Sequence, residues 1–300
     1  MIPCEKDRTV NITYLEAPLE KVWWSIVTPP GTNTYLTYTA DTTGDPLHPK
    51  VGDIFTLCYG DIINRSEVIA CEKHQSFALK DAYESIAPDG STDHFFVTTH
   101  FRLEQEGAFV KLTLEVTGFQ DDEYGQWFRE CLEMGWRRSL MNLKSVLELG
   151  MDLRAEMFSY PRLGVVNCTV NQNQSISTGV PVRQGNYLLE VFPNSPADAA
   201  GLMKGDVIVA FDDVPTPAYE DFVRAISFYY GKDSQVTIRY IRNGEEKRTV
   251  ARLSIEDTFT GRVELEGTSL EEIKQKRERL ARQRSASGAI WKEQGGLSDE

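Results

Sequence analysis

The stretch from 108 to 148 constrains the fold more than any other part of the chain. In AFVKLTLEVTGF, Val110, Leu112, Leu114 and Val116 point one way and Lys111, Thr113, Glu115 and Thr117 the other. Strict alternation means one buried and one wet face, the pattern of an antiparallel sheet. The period then changes. From near Asp122 to Glu148 the spacing predicts a helix of about 27 residues, with Phe128, Leu132, Trp136, Leu140, Leu143 and Leu147 at steps of three and four. That stripe has to bury itself, and the concave face of the sheet is the available partner.

The residues before this pair supply the rest of the sheet. Val10, Ile12 and Tyr14 alternate in a first strand, and EAPLEKVWWSIVT predicts a helix with Val22, Trp23, Ile26 and Val27 on one face. Pro18 sits near its start, where a missing N–H costs little. From Thr28 to about Lys50 the chain is rich in Thr, Gly, Pro and Asp and reads as a long loop, a length that often marks functional or variable segments. DIFTLCY, SEVIACE, SFALKD and DHFFVTTHFRLE follow as strands. Residues 1–154 thus form one unit, a strand, a helix, many strands and a long helix.

A second unit is expected over 158–255. LGVVNCTV and NYLLEVF read as strands. NSPADAAGL is a short helix with Ser195 as N-cap, Pro196 at its first position, Asp198 in a capping-box-like place and Gly201 as its stop. AYEDFVRAISFY is a second helix with Phe222, Val223 and Ile226 on its apolar side, and VTIRYIR and EEKRTVARL flank an Asn243-Gly244 hairpin turn. Residues 256–300 read as a charged tail: a helix opened by a Ser269/Glu272 capping box, then a polar segment expected to be disordered, with Trp291 as an anchor. Two α+β units suit 300 residues at roughly 150 per domain.

Composition excludes several functions. With 32 basic and 45 acidic residues the net charge is −13, against a general nucleic-acid binder. The five cysteines are scattered and form no C-x-x-C, against a disulfide framework or zinc site and for a reducing compartment. The N-terminus has no apolar core of a signal peptide, and no apolar run reaches the roughly 18 residues of a membrane span, so the expected location is the cytoplasm. No phosphate loop, dinucleotide fingerprint or H-E-x-x-H appears, and no cofactor is expected. His94 and His100 share a strand face but lie about 20 Å apart, too far to hold one metal ion. Asp121, Asp122 and Glu123 suit a helix N-terminus better than an acid/base pair. Arg137, Arg138 and the basic run of the tail read as solvated helix faces.

The segments APLEKVWWSIVTPPGTNTYLT, VGDIFTLCYGD, FRLEQEGAFVKLTLEVTGF and GWRRSLMNLKSVLE resemble the SRPBCC (START-like, helix-grip) superfamily, and within it the activators of heat-shock-protein-90 ATPase. The resemblance implies a hydrophobic cavity between the long helix and the sheet. Candidate lining residues are Trp24, Phe55, Tyr59, Phe95, Val97, Phe101, Trp127, Cys131 and Met134, unless these simply fill the core. PRLGVV, LLEVFPNSPADAAGLMKGDVIVAFDD and AYEDFVRAI resemble a PDZ domain of the bacterial HtrA-protease type, without the protease half. By that resemblance Arg162, Leu163, Gly164 and Val165 form the loop that receives a peptide carboxylate, and Phe222 and Ile226 line the pocket for its last side chain. The alternative is a groove filled by the protein's own chain, its tail, or a second copy.

The leading expectation is a non-enzymatic adaptor: the PDZ unit captures a partner's C-terminus, and the START-like unit binds an apolar small molecule or a client protein. The rivals are a cyclase- or hydrolase-like enzyme acting in the START-like cavity, for which a polar dyad deep in the cavity would speak, and a regulator of a heat-shock ATPase.

Overall fold

The computed structural model describes residues 7–59, 62–86, 92–158, 161–229 and 235–253. The tail helix and the Trp291 anchor expected above lie outside these residues. The first unit is a seven-stranded antiparallel sheet in the order β1-β7-β6-β5-β4-β3-β2. Its strands are β1 (Arg8–Leu15), β2 (Thr39–Thr42), β3 (Ile54–Cys58), β4 (Ile63–Glu72), β5 (Ser76–Ile86), β6 (Thr92–Glu106) and β7 (Phe109–Thr117). Helix α1 (Leu19–Val27), helix α2 (Pro29–Tyr35) and the long helix α3 (Glu123–Leu149) cover one face. Asp122 caps α3, accepting from Gly125 N–H at 2.6 Å, and Gly150 ends it at φ 68°, where a side chain would strain the backbone.

The alternation in β7 is realised: Val110, Leu112, Leu114 and Val116 are all fully buried. Trp136, Leu140 and Leu143 of α3 press on the same core. β1 is inverted. Its register with β7 sets Asn11 opposite Leu114 and Val10 opposite Glu115. Thr9 and Asn11 therefore face inward, while Val10, Ile12 and Tyr14 are exposed on the outer face. A strand side is fixed by register, and a one-residue slip would have exchanged the two sets.

The stretch after Thr28 is not a plain loop. It contains α2 and β2. Thr28 accepts a hydrogen bond from Gly31 N–H at 3.0 Å and Pro29 occupies the first turn, a capped helix start written in residues that also favour loops.

The second unit is a sheet ordered β13-β12-β10-β9-β8, with β11 (Val214–Pro215) paired to β10. Its strands are β8 (Val165–Thr169), β9 (Asn186–Val191), β10 (Val207–Phe211), β12 (Gln235–Arg242) and β13 (Glu245–Arg252). Asn243 and Gly244, at φ 54° and 78°, make the tight hairpin turn between the last two. The helices are α5 (Gln172–Thr178), α6 (Pro196–Ala199) and α7 (Tyr219–Ser227), and a short α4 (Arg154–Phe158) lies in the connection.

That connection is pinned. Asn142 donates to Tyr35 C=O at 2.8 Å and to Asp152 at 3.0 Å, and accepts from Leu153 N–H at 2.7 Å. Arg154 reaches Asp152 and the carbonyls of Asn33 and Thr37. Burial alone would raise the Asp152 carboxyl, but the Arg154 guanidinium holds it below the usual range. The start of the connection is thus tied to the first unit by a buried polar lock.

Candidate functional site

Two hollows are candidates, and α3 borders both. The first lies between α3 and the sheet, lined among others by Tyr35, Phe55, Tyr59, Asn64, Asp81, Phe101 and Trp136. It is closed down to about 10 Å³, the room of roughly one water. Its floor is polar. Asp81, 1% exposed, accepts from Ser66 and Thr99 at 2.5 Å and from Asn64 at 3.0 Å. Burial pushes its pKa up to about 6 against the pull of those three donors. Tyr35 OH, Asn64 Oδ1 and Trp136 Nε1, all on residues lining the same space, have no hydrogen-bond partner among the described residues.

Of the residues expected to line this cavity, Phe55, Tyr59 and Phe101 do so. Val97 is buried in the surrounding core, and Phe95 stacks on Phe128 at 4.3 Å. Trp24 is half-buried, and its neighbour Trp23 takes the core position. Cys131 and Met134 face the second unit, and Trp127 bridges the two, packing edge-on against Phe95 at 5.8 Å and against the cluster of Val166, Cys168 and Leu189. These three occupy an α3 stripe more than a third of a turn around the helix from Phe128, Leu132 and Trp136.

The second hollow is the groove between β8 and α7. Among the described residues β8 is an edge strand paired to β9 alone, so its other edge presents backbone groups outward. Before it, Gly164 takes φ 80°. Leu163 C=O accepts from Ala197 N–H at 2.9 Å and Gly164 C=O from Phe192 N–H at 3.0 Å. In trans peptides N–H and C=O point oppositely, so the N–H groups of Gly164 and Val165 are aimed away from those inward contacts. Leu163, Phe222 and Ile226 fall in one cluster, with Val165 packed at its margin. Arg162 is half-buried next to this loop.

This groove is covered. Gln126 of α3 donates to Thr169 C=O at 2.7 Å, and Glu130 accepts from Thr169 N–H at 2.7 Å. One turn further, Met134 packs on the cluster that holds Leu163, Phe222 and Ile226. Those three are 2, 6 and 2% exposed, so the pocket is closed to solvent. Along α7, Cys131 donates to Tyr219 OH at 3.0 Å, Arg137 meets Glu220 at 2.8 Å and Arg138 donates to Ser227 at 3.3 Å. Burial raises the Glu130 carboxyl although the Thr169 N–H and Arg129 pull the other way, and burial pushes the Cys131 thiol to about 12. The pattern of α3 gave no hint of this contact, because Gln126, Arg129, Glu130 and Glu133 have the composition of a wet face.

Comparison with known families accounts for both units. Residues 16–148 match the family described as Activator of Hsp90 ATPase homolog 1-like protein, and residues 161–253 match the PDZ domain family. The chain joins an Hsp90-activator-like domain to a PDZ domain. A stretch of 116 residues is 26% identical to a probable periplasmic serine protease do/HhoA-like of Haemophilus influenzae, covering 39% of this chain and 23% of that protein. Another of 61 residues is 44% identical to the zinc metalloprotease RasP of Shouchella clausii, covering 20% and 14%. The chain spans less than a quarter of the length of these curated relatives. Among solved structures, the Aha1 dimer from Colwellia psychrerythraea is 16% identical, covering 48% of this chain and 97% of that one, with a TM-score of 0.38. CalU16 from Micromonospora echinospora is 18% identical over 47% and 74%, with a TM-score of 0.37. Among the described residues, no helix is long and apolar enough to cross a membrane.

Proposed function

We propose that this chain is a binding or adaptor protein, a role supported by the pairing of an Hsp90-activator-like domain with a PDZ domain. Its recognition site is the PDZ groove between β8 and α7, which captures the C-terminal segment of a partner protein when α3 is displaced. The observation that carries this reading is the preformed set of binding parts: the outward edge of β8, the Gly164 turn and the Leu163–Phe222–Ile226 pocket. A strand added at that edge gains backbone hydrogen bonds, and its last side chain fills the pocket. Working in the cytoplasm belongs to the same proposal.

The Hsp90-activator-like domain serves this adaptor through a surface rather than a pocket. Its inner space of about 10 Å³ admits neither an apolar ligand nor an enzyme substrate unless α3 parts from the sheet. Its outer face carries Val10, Ile12 and Tyr14, each more than two-fifths exposed, a stripe of the kind that meets a client protein.

The test is binding of a random C-terminal peptide library to the full chain and to a full-chain variant with Glu130→Arg and Met134→Asp. Micromolar, sequence-selective binding to the variant, abolished by adding Gly164→Asp, is the expected result. A folded variant that selects no peptide overturns the reading.

A further inference from the structure

We infer, resting on the groove being the recognition site, that this PDZ groove also reads an internal amphipathic helix, and that α3 is its resident ligand. The closure is not mere packing of two domains. Gln126 and Glu130 stand one turn apart on one helix face, and together they satisfy both the C=O and the N–H that Thr169 turns to the open edge. A paired strand would supply an N–H and a C=O there, and α3 supplies an amide donor and a carboxylate acceptor instead. Met134, one further turn along, enters the apolar cluster as the last side chain of a peptide would. Three residues spaced i, i+4 and i+8 thus reproduce the edge bonds and the pocket contact of a bound strand.

The groove side is shaped to receive them. Asn171 of the PDZ domain donates to Gln126 at 2.6 Å and so orients its amide toward Thr169. Glu130 is a buried carboxylate, costly to desolvate, retained where a backbone N–H meets it and Arg129 lies 3.8 Å away. The contacts to α7 run from its first residue, Tyr219, to its last, Ser227, so the helix bridges the whole groove. The partner class follows: an α-helix carrying a Gln, a Glu and an unbranched apolar residue at four-residue intervals, followed by basic residues. Such a helix and a C-terminal strand need the same Thr169 edge and the same pocket, so they exclude each other.

The test uses the full chain with Glu130→Arg and Met134→Asp, whose groove residues are untouched. The probe is a fluorescent, lactam-stapled peptide of residues 122–140, stapled because a free helix of this length is marginal in water. Fluorescence anisotropy is expected to show saturable binding to the variant and at least tenfold weaker binding to the wild type, whose own α3 competes. The same peptide with Glu130→Ala is expected to bind about 10- to 100-fold more weakly, the loss of one charge-assisted hydrogen bond. A folded variant that ignores the stapled peptide, or that binds the Glu130→Ala peptide equally well, overturns the inference. Should the double variant not fold, Glu130→Ala in the full chain replaces it: faster hydrogen exchange at the Thr169 amide is expected, and unchanged exchange overturns the inference. Binding of the helix without any C-terminal peptide sinks the function proposed above and leaves this inference standing. Binding of C-terminal peptides without the helix does the reverse.

Discussion

The two hollows of this protein are sealed by opposite faces of one helix, and the chemistry of the seals differs. Toward the sheet, α3 offers Trp136, Leu140 and Leu143, each under a tenth exposed. Burying such a side chain contributes about 1.5–3 kcal/mol and asks for little directionality. Toward the PDZ domain it offers Gln126, Glu130 and Arg138, whose hydrogen bonds each contribute about 0.5–1.5 kcal/mol, or 1.5–3 when charged, and Arg137, whose half-exposed pair with Glu220 contributes less. The first seal holds the domain together. The second exchanges protein partners for water or for another ligand at modest net cost, which suits a contact that can open.

Cutting each seal separately sharpens this contrast. The largest effect is expected from Leu143→Ala, fully buried on the core side, at about 2–5 kcal/mol. Urea denaturation should show the Hsp90-activator-like domain losing stability, and an unchanged midpoint would place the helix's weight on the PDZ side instead. Glu130→Ala comes next. It strands the Thr169 N–H, a loss of about 1–3 kcal/mol, while circular dichroism stays native and hydrogen exchange rises at β8.

Acidification probes the core from within. The Asp81 pKa of about 6 in the folded chain lies above its ordinary 3.8, so the native state binds the proton first. Stability therefore rises as pH falls through about 6 and the gain is complete below 3.8. Between pH 7.5 and 5 the gain is about 1.4 kcal/mol by linkage, and Asp81→Asn should remove most of it. The raised Glu130 adds in the same direction, while Asp152, Asp212 and Glu148, held low, lose their contribution only at still lower pH. A stability that falls steadily from pH 7.5 to 5 would contradict the buried carboxylate. The smallest effect belongs to Arg137→Ala, which breaks a half-exposed pair with Glu220 at about 0.2–1 kcal/mol. It should shrink further in high salt, and a larger, salt-insensitive loss would mean that this rim contact is part of the seal proper.

Local pattern carried most of the fold. The alternation of Val110 to Val116, the stripe from Phe128 to Leu147, the Ser195-Pro196 helix start and the Asn243-Gly244 turn each depend on near neighbours, and each was legible. The same logic misjudged Thr28 to Lys50, where the residues that cap and open α2 are also loop residues. The family resemblance put Leu163, Phe222 and Ile226 at one pocket, and the three fall in one apolar cluster, but it had no means of showing what covers them.

What the sequence by itself determined is the pair of α+β units, their order and the parts of a groove, because period, capping and turn chemistry act over a few residues. What only the tertiary structure decided is which face of each element stays wet. The side of β1 depends on its register with β7, which put Val10, Ile12 and Tyr14 outside. The polar face of α3 depends on where β8 of the second domain lies, since Gln126 and Glu130 meet Thr169 of that strand. A Gln and a Glu on a helix look the same in sequence whether they face water or a strand edge, since both satisfy the same hydrogen-bonding capacity.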